Sequence, residues 1–461
     1  MRAAYGSASD ARLPDHGLRA LLSIDARRQR YLDVEAALAA AQADVGLVPA
    51  AAADAIAASA RLELLDARRL DGEQARTGHV MVPIIGELAR VVGVEHGGWV
   101  HWGATTQNIQ QTGDVLGIRA AHGIITDLLV EVLTDLAGLA DRYAGTVMAG
   151  RTHAQQAVPI TFGYKVAAWA DAMLRHRQRL DELPPRLFIA MAGGATGTFA
   201  AMGPSGPAVQ DALAERLGLV SMPVASRSIA DPFAELVCTL ALLSTATSTI
   251  AEEISRLAAV EFGELAETLP EGDVGSSTMP QKRNSKLCGE IVTIGAQIRS
   301  LVPLALEAVI HSHEVDGARS AMMDEAVEQA LILSCDALIR LHDVLVGLQV
   351  FPDRMRANLD LTDGAIMAEA TMMALAETLG RQHAHEAVHR AATLAATTGQ
   401  SFTEIIGQDP AITSRLTPAQ IHTLMDPATH TGHGAAIARR TAERIRTAIA
   451  ERIADGTVEP P

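Results

Sequence analysis

The polar stretch Gly275-Ser276-Ser277-Thr278-Met279-Pro280-Gln281-Lys282-Arg283-Asn284 lies between two long helical patterns and is the candidate site of the chemistry. Gly275 permits the backbone angles of a tight anion-binding turn, and Pro280 stops a helix from running through it. The next run, Leu287 to Leu301, reads as a helix, so the stretch precedes a positive helix N-terminus. Its N–H groups, hydroxyls and Lys282 ammonium suit a bound carboxylate, although composition alone also fits an ordinary polar loop.

Two more polar clusters precede long helical patterns. The cluster from Val100 to Asn108 offers a glycine, hydroxyls and amides before a helix predicted at about 114–143. The cluster from Gly150 to Pro159 precedes a helix predicted at about 161–183. Helix caps rich in Thr and Asn are common, and a lone histidine near a helix start, such as His153, is more often structural. The repetition of polar clusters at long helices favours a shared functional role.

Helical periodicity dominates the rest of the chain, and almost no segment alternates with period two, so we predict an all-α protein. Further helices are predicted at about 23–46, 50–70, 84–92, 231–262, 286–312 and 317–349. Helices this long and apolar must bury more than one side, which favours a multi-subunit bundle. The pattern divides into an N-terminal helical domain (1–111), a central long-helix bundle (112–352) with the signature loop at 272–286, and a small C-terminal helical domain (353–461).

Composition and charge argue against several classes of binding partner. Lys plus Arg number 38 against 54 for Asp plus Glu, and a net charge of −16 argues against a nucleic-acid partner. The three cysteines are too widely spaced for a metal or disulfide framework, which suits a reducing cytoplasm. No uninterrupted apolar stretch reaches membrane-spanning length, so no membrane partner is expected. The glycine-rich run Gly193 to Thr198 lacks the context of a dinucleotide site and reads as a close-packed turn.

The three polar clusters, in this order and with long helices between them, resemble the fumarase/aspartase superfamily. The stretch 275–284 matches the GSSxMPxKxN signature almost letter for letter, and the resemblance covers essentially the whole chain. Val100 to Arg119 and Arg151 to Lys165 look most like the branch of 3-carboxy-cis,cis-muconate cycloisomerase and adenylosuccinate lyase. Arg354 to Met373 looks like the cycloisomerase side. The resemblance implies a three-domain fold with a long central helical bundle, a homotetramer with active sites shared between subunits, a small anionic dicarboxylate or tricarboxylate substrate, and no cofactor or metal.

The resemblance also implies roles for individual residues. Ser276 is the expected general base, and its alkoxide needs helix N–H groups and Lys282 for stabilisation. Lys282 and Asn284 would hold the substrate carboxylate as charge moves onto it. His153 matches the histidine that protonates or orients the leaving group. Substrate contacts are also implied for His79, Thr105, Thr106, Asn108, Arg151, Gln155, Ser277 and Met279.

Several positions depart from the family pattern. Gly289 stands where relatives usually carry Glu. Glu290 is next in sequence but turned by about a quarter circle on a helix, so the carboxylate partner of His153 stays open. The segment from Val315 to Met323, where a nucleotide phosphate would need fixed arginines, offers only Arg319. A smaller, phosphate-free substrate is therefore expected.

The sequence predicts a lyase that cleaves a C–N bond of a succinyl-type polycarboxylate by β-elimination and releases fumarate. An aspartate-, argininosuccinate- or nitrosuccinate-like substrate fits this prediction. One alternative is a 3-carboxy-cis,cis-muconate cycloisomerase, which forms a lactone. A second alternative is a non-catalytic homologue that uses the bundle as a scaffold.

Overall fold

The computed structural model describes residue 10 and residues 12–268, 276–279 and 281–454. Over this part of the chain helices dominate, and the all-α prediction is confirmed. The helices are α1 (Leu18–Leu21), α2 (Ile24–Asp44), α3 (Ala50–Ser59), α4 (Ala67–Thr77), α5 (Met81–Val92), α6 (Thr106–Arg142), α7 (Phe162–Asp181), α8 (Pro184–Leu187), α9 (Gly206–Leu217), α10 (Asp231–Leu257), α11 (Lys286–Ser300), α12 (Val302–Ala308), α13 (Gly317–Val346), α14 (Pro352–Asn358), α15 (Ala368–Leu379), α16 (Arg381–Thr398), α17 (Phe402–Gln408), α18 (Pro410–Thr413), α19 (Pro418–Leu424) and α20 (Gly434–Ala454).

Short strands form three two-stranded pairs among the described residues. The strands are β1 (Val147–Thr152), β2 (Gln155–Thr161), β3 (Ile189–Ala190), β4 (Val220–Ser221), β5 (Leu265–Ala266) and β6 (Gln349–Val350). The pairs β1–β2 and β5–β6 are antiparallel, whereas β3–β4 is parallel. Only β1–β2 is long enough to shape a loop that carries predicted site residues.

Local chemistry accounts for the helix boundaries, including two that the sequence patterns placed wrongly. Ser23 accepts a hydrogen bond from the N–H of Ala26 (3.3 Å) and caps α2, which begins close to the predicted start at about residue 23. The helix predicted over 50–70 is instead interrupted after Ser59, and Asp66 caps a new helix by accepting from Arg68 N–H (3.0 Å). The helix predicted from about 114 begins at Thr106, so the polar cluster supplies its first turn.

The chain divides into two compact units. The first comprises Met1–Leu128, His176–Thr245 and Thr293–Ile339, and the second comprises Leu129–Arg175, Ala246–Val292 and Arg340–Pro461. The first unit has an apolar core in which Leu38, Ile56 and Ile84 of three helices are buried. In the second, α15, α16 and α17 enclose a smaller core around Phe402. The three predicted domains stay a prediction.

Two helical segments are long and apolar enough to cross a membrane by length and composition alone, although charged residues such as Glu235 and Glu290 interrupt their apolar runs. These are Asp231–Leu257, whose apolar window is 72% buried inside the chain, and Lys286–Ala308, whose window is 33% buried. Burial in the protein interior explains the composition of the first segment. In the second segment a smaller share of the apolar window is buried within this chain.

Candidate active site

The signature loop holds Ser276 in a small turn of its own. The N–H groups of Thr278 and Met279 both donate to Ser276 Oγ, at 3.4 and 3.1 Å. Lys282 N–H donates to the carbonyl of Met279 (3.0 Å) and tightens the same loop. Gly275 and Pro280, which were assigned backbone roles, lie outside the described residues. Two donors directed at one hydroxyl oxygen stabilise its anionic form, as a serine acting as base requires.

The other predicted residues of this loop are turned outward. Ser277, Met279, Lys282 and Asn284 are exposed in the single chain, whereas Ser276 is half-buried. Exposed charged and apolar groups in a loop near a proposed base are placed to meet a ligand or another protein surface. Their predicted roles in substrate binding stay predictions.

The helix after the loop does not supply the donors that the sequence suggested. Its first N–H groups, those of Leu287 and Cys288, donate to the two carboxylate oxygens of buried Glu267 at 3.0 and 3.2 Å. Glu267 therefore neutralises the positive end of α11, and the donors to Ser276 come from the loop itself. Burial, assisted by the charge of Glu267, also raises the pKa of the Cys288 thiol, which leaves Cys288 an inert core residue.

His153 lies at the tip of a β-hairpin, and the expectation that it stands near a helix start is wrong. Thr152 pairs with Gln155, which leaves His153 and Ala154 as a two-residue turn. Both turn residues have positive φ, 50° and 62°. This backbone region suits Gly and Asn in such turns and costs other residues free energy. The hairpin thus presents the exposed His153 imidazole from a rigid and strained support.

A buried ion pair anchors the hairpin. Arg151 donates to both carboxylate oxygens of Glu264, at 3.0 and 2.6 Å, and Glu264 is completely buried. Asn358 Nδ2 donates to Glu264 as well (2.8 Å), and Gln156 Nε2 donates to the carbonyl of Asn358 (2.6 Å). These contacts favour a positioning role for Arg151. Direct substrate contacts by Arg151 and by exposed Gln155 stay predictions.

Glu290, which follows Gly289 in the sequence, already has a partner for its carboxylate. Glu290 Oε2 accepts from Nε of Arg340 at 2.7 Å, and Arg340 is only 1% exposed. A buried guanidinium needs this counter-charge. The contact therefore favours a structural role for Glu290 over that of the missing carboxylate partner of His153.

The cluster around Thr105 is organised by Asn108. Asn108 is buried, and its Oδ1 accepts from the N–H groups of Thr105 (3.1 Å) and Gly194 (3.0 Å). Gly194 belongs to the glycine-rich run, which is a close-packed turn as predicted: a Cβ added at Gly193 would lie 2.6 Å from Cβ of Ala225. Asn108 thus joins two loops. Thr105 and Thr106, both half-buried, remain the hydroxyls placed for a ligand.

The sequence patterns gave no role to His101, which supports the same loop. His101 Nδ1 lies 2.6 Å from a carboxylate oxygen of Glu35, which is almost fully buried on α2. Gln42 Nε2 donates to the carbonyl of Trp102 at 2.6 Å. The sequence did contain a sign of these contacts. Glu35 and Gln42 are polar residues among the buried positions of α2, and buried polar groups require partners.

His79 is held in one tautomer. Its Nδ1 accepts from the N–H groups of Met81 (3.1 Å) and Val82 (3.4 Å), which open α5. An Nδ1 that accepts cannot carry a proton, so the neutral ring carries its hydrogen on Nε2. His79 can therefore donate one hydrogen bond to an anionic ligand.

The described residues offer no arrangement of three His, Cys, Asp or Glu side chains suited to a metal ion. The predicted site residues carry hydroxyls, amides, imidazoles and the Lys282 ammonium. These groups bind carboxylates and transfer protons.

Comparisons with known proteins agree with this class of site. A family model described as Lyase matches residues 5–299, and one described as Adenylosuccinate lyase C-terminus matches residues 364–441. The chain is 34% identical to the N-acetyl-S-(2-succino)cysteine lyase of Dickeya dadantii, over 90% of this chain and 91% of that protein. It is 36% identical to the 3-carboxy-cis,cis-muconate cycloisomerase of Pseudomonas aeruginosa, over 92% and 93% of the two chains. The crystal structure of a fumarate lyase from Mesorhizobium sp. BNC1 superposes with a TM-score of 0.88 at 35% identity, over 95% and 99% of the chains.

The fold and the site thus define a helical lyase-type protein built around a signature serine loop. The chain belongs to the lyase family of the fumarase/aspartase superfamily, and the all-α fold predicted for it is confirmed. Membership supports an enzyme but leaves the bond that it cleaves open.

Proposed function

We propose that this protein is a homotetrameric lyase that removes a leaving group from a succinyl-type polycarboxylate by cofactor-free β-elimination and releases fumarate, most readily from a C–N bond. The observation that carries the proposal is the pair of N–H donors at Ser276 Oγ, 3.4 and 3.1 Å away. Without such donors a serine hydroxyl is too weak an acid to serve as a base. In a scaffold protein the same donors would serve only to shape the loop.

In the proposed reaction, the Ser276 alkoxide takes a proton from the carbon next to one substrate carboxylate. The electron pair moves onto that carboxylate, which Lys282 and Asn284 hold, and then returns to form the double bond as the leaving group departs. His153 donates a proton to the departing nitrogen. Thr105 and Thr106 bind the other carboxylate, and His79 adds a hydrogen bond from Nε2.

Similarity to two relatives supports other versions of the reaction. Similarity to an N-acetyl-S-(2-succino)cysteine lyase favours a second version in which a sulfur atom leaves. Similarity to a 3-carboxy-cis,cis-muconate cycloisomerase favours lactone formation as the main rival. A nucleotide substrate is disfavoured, because Arg319 is paired with Glu307 at 2.5 Å.

The proposed tetramer is supported by apolar side chains that the single chain leaves exposed. Leu306 and Ile310 are 53% and 62% exposed, and Leu242 and Val346 are also exposed. Burying such surface against other copies of the chain supplies the free energy of assembly. Three free cysteines fit the proposed cytoplasmic location.

One substrate panel tests the reaction. Fumarate or lactone formation should be measured with adenylosuccinate, argininosuccinate, N-substituted aspartates, nitrosuccinate, S-(2-succino)cysteine derivatives and carboxymuconate. We expect fumarate from a phosphate-free succinyl compound, and a loss of about a thousandfold or more in Ser276→Ala with the fold intact. Lactone from carboxymuconate alone would establish the cycloisomerase, and efficient cleavage of adenylosuccinate would refute the phosphate argument. Near-normal turnover by Ser276→Ala would remove Ser276 as the base.

Shared sites have their own test. Inactive Ser276→Ala and His153→Ala subunits, mixed and allowed to exchange, should regain part of the activity because some sites then contain both residues. A monomer in solution, or no recovery after proven exchange, would contradict shared sites.

A further inference from the structure

A cavity with a largely apolar lining and several charged side chains lies within the first unit, between α2, α6, α13 and the segment before α10. Its volume is about 60 Å³. A single buried water needs about 10–15 Å³ on this measure, so the cavity has room for a group of several atoms. None of the residues assigned to proton transfer lines it.

Among the described residues, two buried side-chain atoms that line the cavity have no hydrogen bond, and both are donors. Gln111 is only 5% exposed, and its Nε2 makes no hydrogen bond within the described part of the protein. Arg27 Nε also lacks a hydrogen bond there, although it lies 3.3 Å from a carboxylate oxygen of Asp114. Buried donors left without acceptors cost free energy. A ligand that enters this cavity must therefore bring acceptor atoms.

Arg227 adds a guanidinium that is only partly engaged. Its Nε donates to Ser320 Oγ at 3.1 Å, and its Nη2 lies 3.7 Å from Asp324, beyond hydrogen-bond length. The guanidinium is mostly buried, so the charge is poorly hydrated. A mostly buried, planar guanidinium with unused N–H donors is suited to binding a carboxylate.

The lining also holds three acidic residues, Asp114, Asp324 and Glu328. Burial raises the pKa of Asp114 to about 6, so this carboxyl is still mostly ionised at neutral pH. Burial lowers the pKa of His311, so this ring is neutral at neutral pH. An added anion must therefore be stabilised by the unused donors of Arg227 and Gln111.

Arg227 also connects this cavity to the predicted carboxylate-binding cluster. It lines a second, smaller cavity of about 10 Å³ together with Asn108 and Gly194. Gln111 follows Asn108 by about one turn of α6, a rise of about 5 Å. Arg227 therefore lies between the larger cavity and Asn108, which organises the loop of Thr105.

We propose that the larger cavity receives the leaving group of the substrate, and that Arg227 and Gln111 bind a carboxylate that this leaving group carries. This inference rests on the proposed elimination reaction and specifies its substrate: the departing amine or thiol resembles an amino acid. Arg227 is then the residue that determines specificity. It distinguishes charged from neutral leaving groups and takes no part in proton transfer.

Two matched compounds test the inference by binding, independently of turnover. N-(carboxymethyl)aspartate has a leaving group with a carboxylate, and N-(carbamoylmethyl)aspartate replaces that carboxylate by an amide of nearly the same shape. Calorimetry on the inactive Ser276→Ala protein should show about tenfold or stronger preference for the carboxylate. Adding Arg227→Met should abolish the preference and leave affinity for the amide compound unchanged. Adding Arg319→Met, which removes a cation paired at the surface, should retain the preference.

Equal affinities in the Ser276→Ala protein, a preference that survives Arg227→Met, or no binding of either compound would overturn the inference. If Arg227→Met does not fold, Gln111→Met removes a donor without breaking an ion pair and should weaken the carboxylate compound alone. Fumarate release by the wild-type protein reports separately on the reaction. A binding preference without fumarate release would support the carboxylate site and reject C–N cleavage.

Discussion

The hairpin that carries His153 allows stability and catalysis to be separated in one pair of variants, Ala154→Gly and His153→Gly. Both residues have positive φ, and both side chains are exposed. A left-handed backbone costs a non-glycine residue about 1–2 kcal/mol, whereas glycine loses about 0.5–1 kcal/mol more entropy on folding. Each substitution should therefore stabilise the fold by about 0.5–1 kcal/mol.

The two variants should differ in turnover. Ala154→Gly retains the imidazole and should keep activity within a factor of about three, whereas His153→Gly should lose about a hundredfold or more. Urea titration measures the first effect and fumarate formation the second, with the oligomeric state checked for both. Destabilisation by both variants would refute the strain argument. Unchanged turnover in His153→Gly would refute the catalytic assignment.

Three further predictions concern Glu264, Asp114 and His79. Glu264→Gln should lower the free energy of unfolding, measured by urea titration, by about 3 kcal/mol or more, because Arg151 would remain largely buried without its counter-charge. Adding Arg151→Met should recover part of this loss, because the unpaired charge is then removed. The folded-state pKa of Asp114 lies above its ordinary value, at about 6 against 3.8, so its stabilising contribution is present at low pH and lost as pH rises through about 6. Asp114→Asn should flatten this pH dependence, and an unchanged profile would reject the assignment. His79→Ala should cost about 1 kcal/mol by uncapping α5, whereas His79→Asn should retain the cap; both should raise KM if Nε2 binds substrate.

Helix boundaries set by neighbouring residues could be predicted from the sequence. The Ser23 cap and the Asp231-Pro232 start of α10 depend on local chemistry, and the structure shows both. The compact Gly193–Gly197 turn was also predicted, since glycines in a non-helical segment indicate close approach. The signature loop precedes a helix as expected, because its polar composition cannot continue either neighbouring pattern.

Features that depend on distant residues could not be predicted in the same way. Glu267 caps α11 from about 20 positions earlier, and no local motif links the two. The β1–β2 hairpin escaped detection because its turn contains His153 and Ala154 instead of the usual Asn-Gly pair. Arg227 was overlooked because a single arginine before a helix gives no sign that two cavities meet at its side chain.

The proposed division of labour follows from where the polar groups lie. Glu264 and Glu267 are buried and hold loops, and buried Asn108 joins two loops through its Oδ1. Ser276 and His153 carry the proposed proton transfers but are half-buried and exposed in a single chain. Elimination through a carbanion needs these groups shielded from water, since bulk water would weaken every charge interaction that stabilises the intermediate. In the proposed tetramer, neighbouring subunits would cover exposed apolar residues such as Leu242, Leu306 and Val346 and so shield these groups, and assembly and catalysis should be lost together.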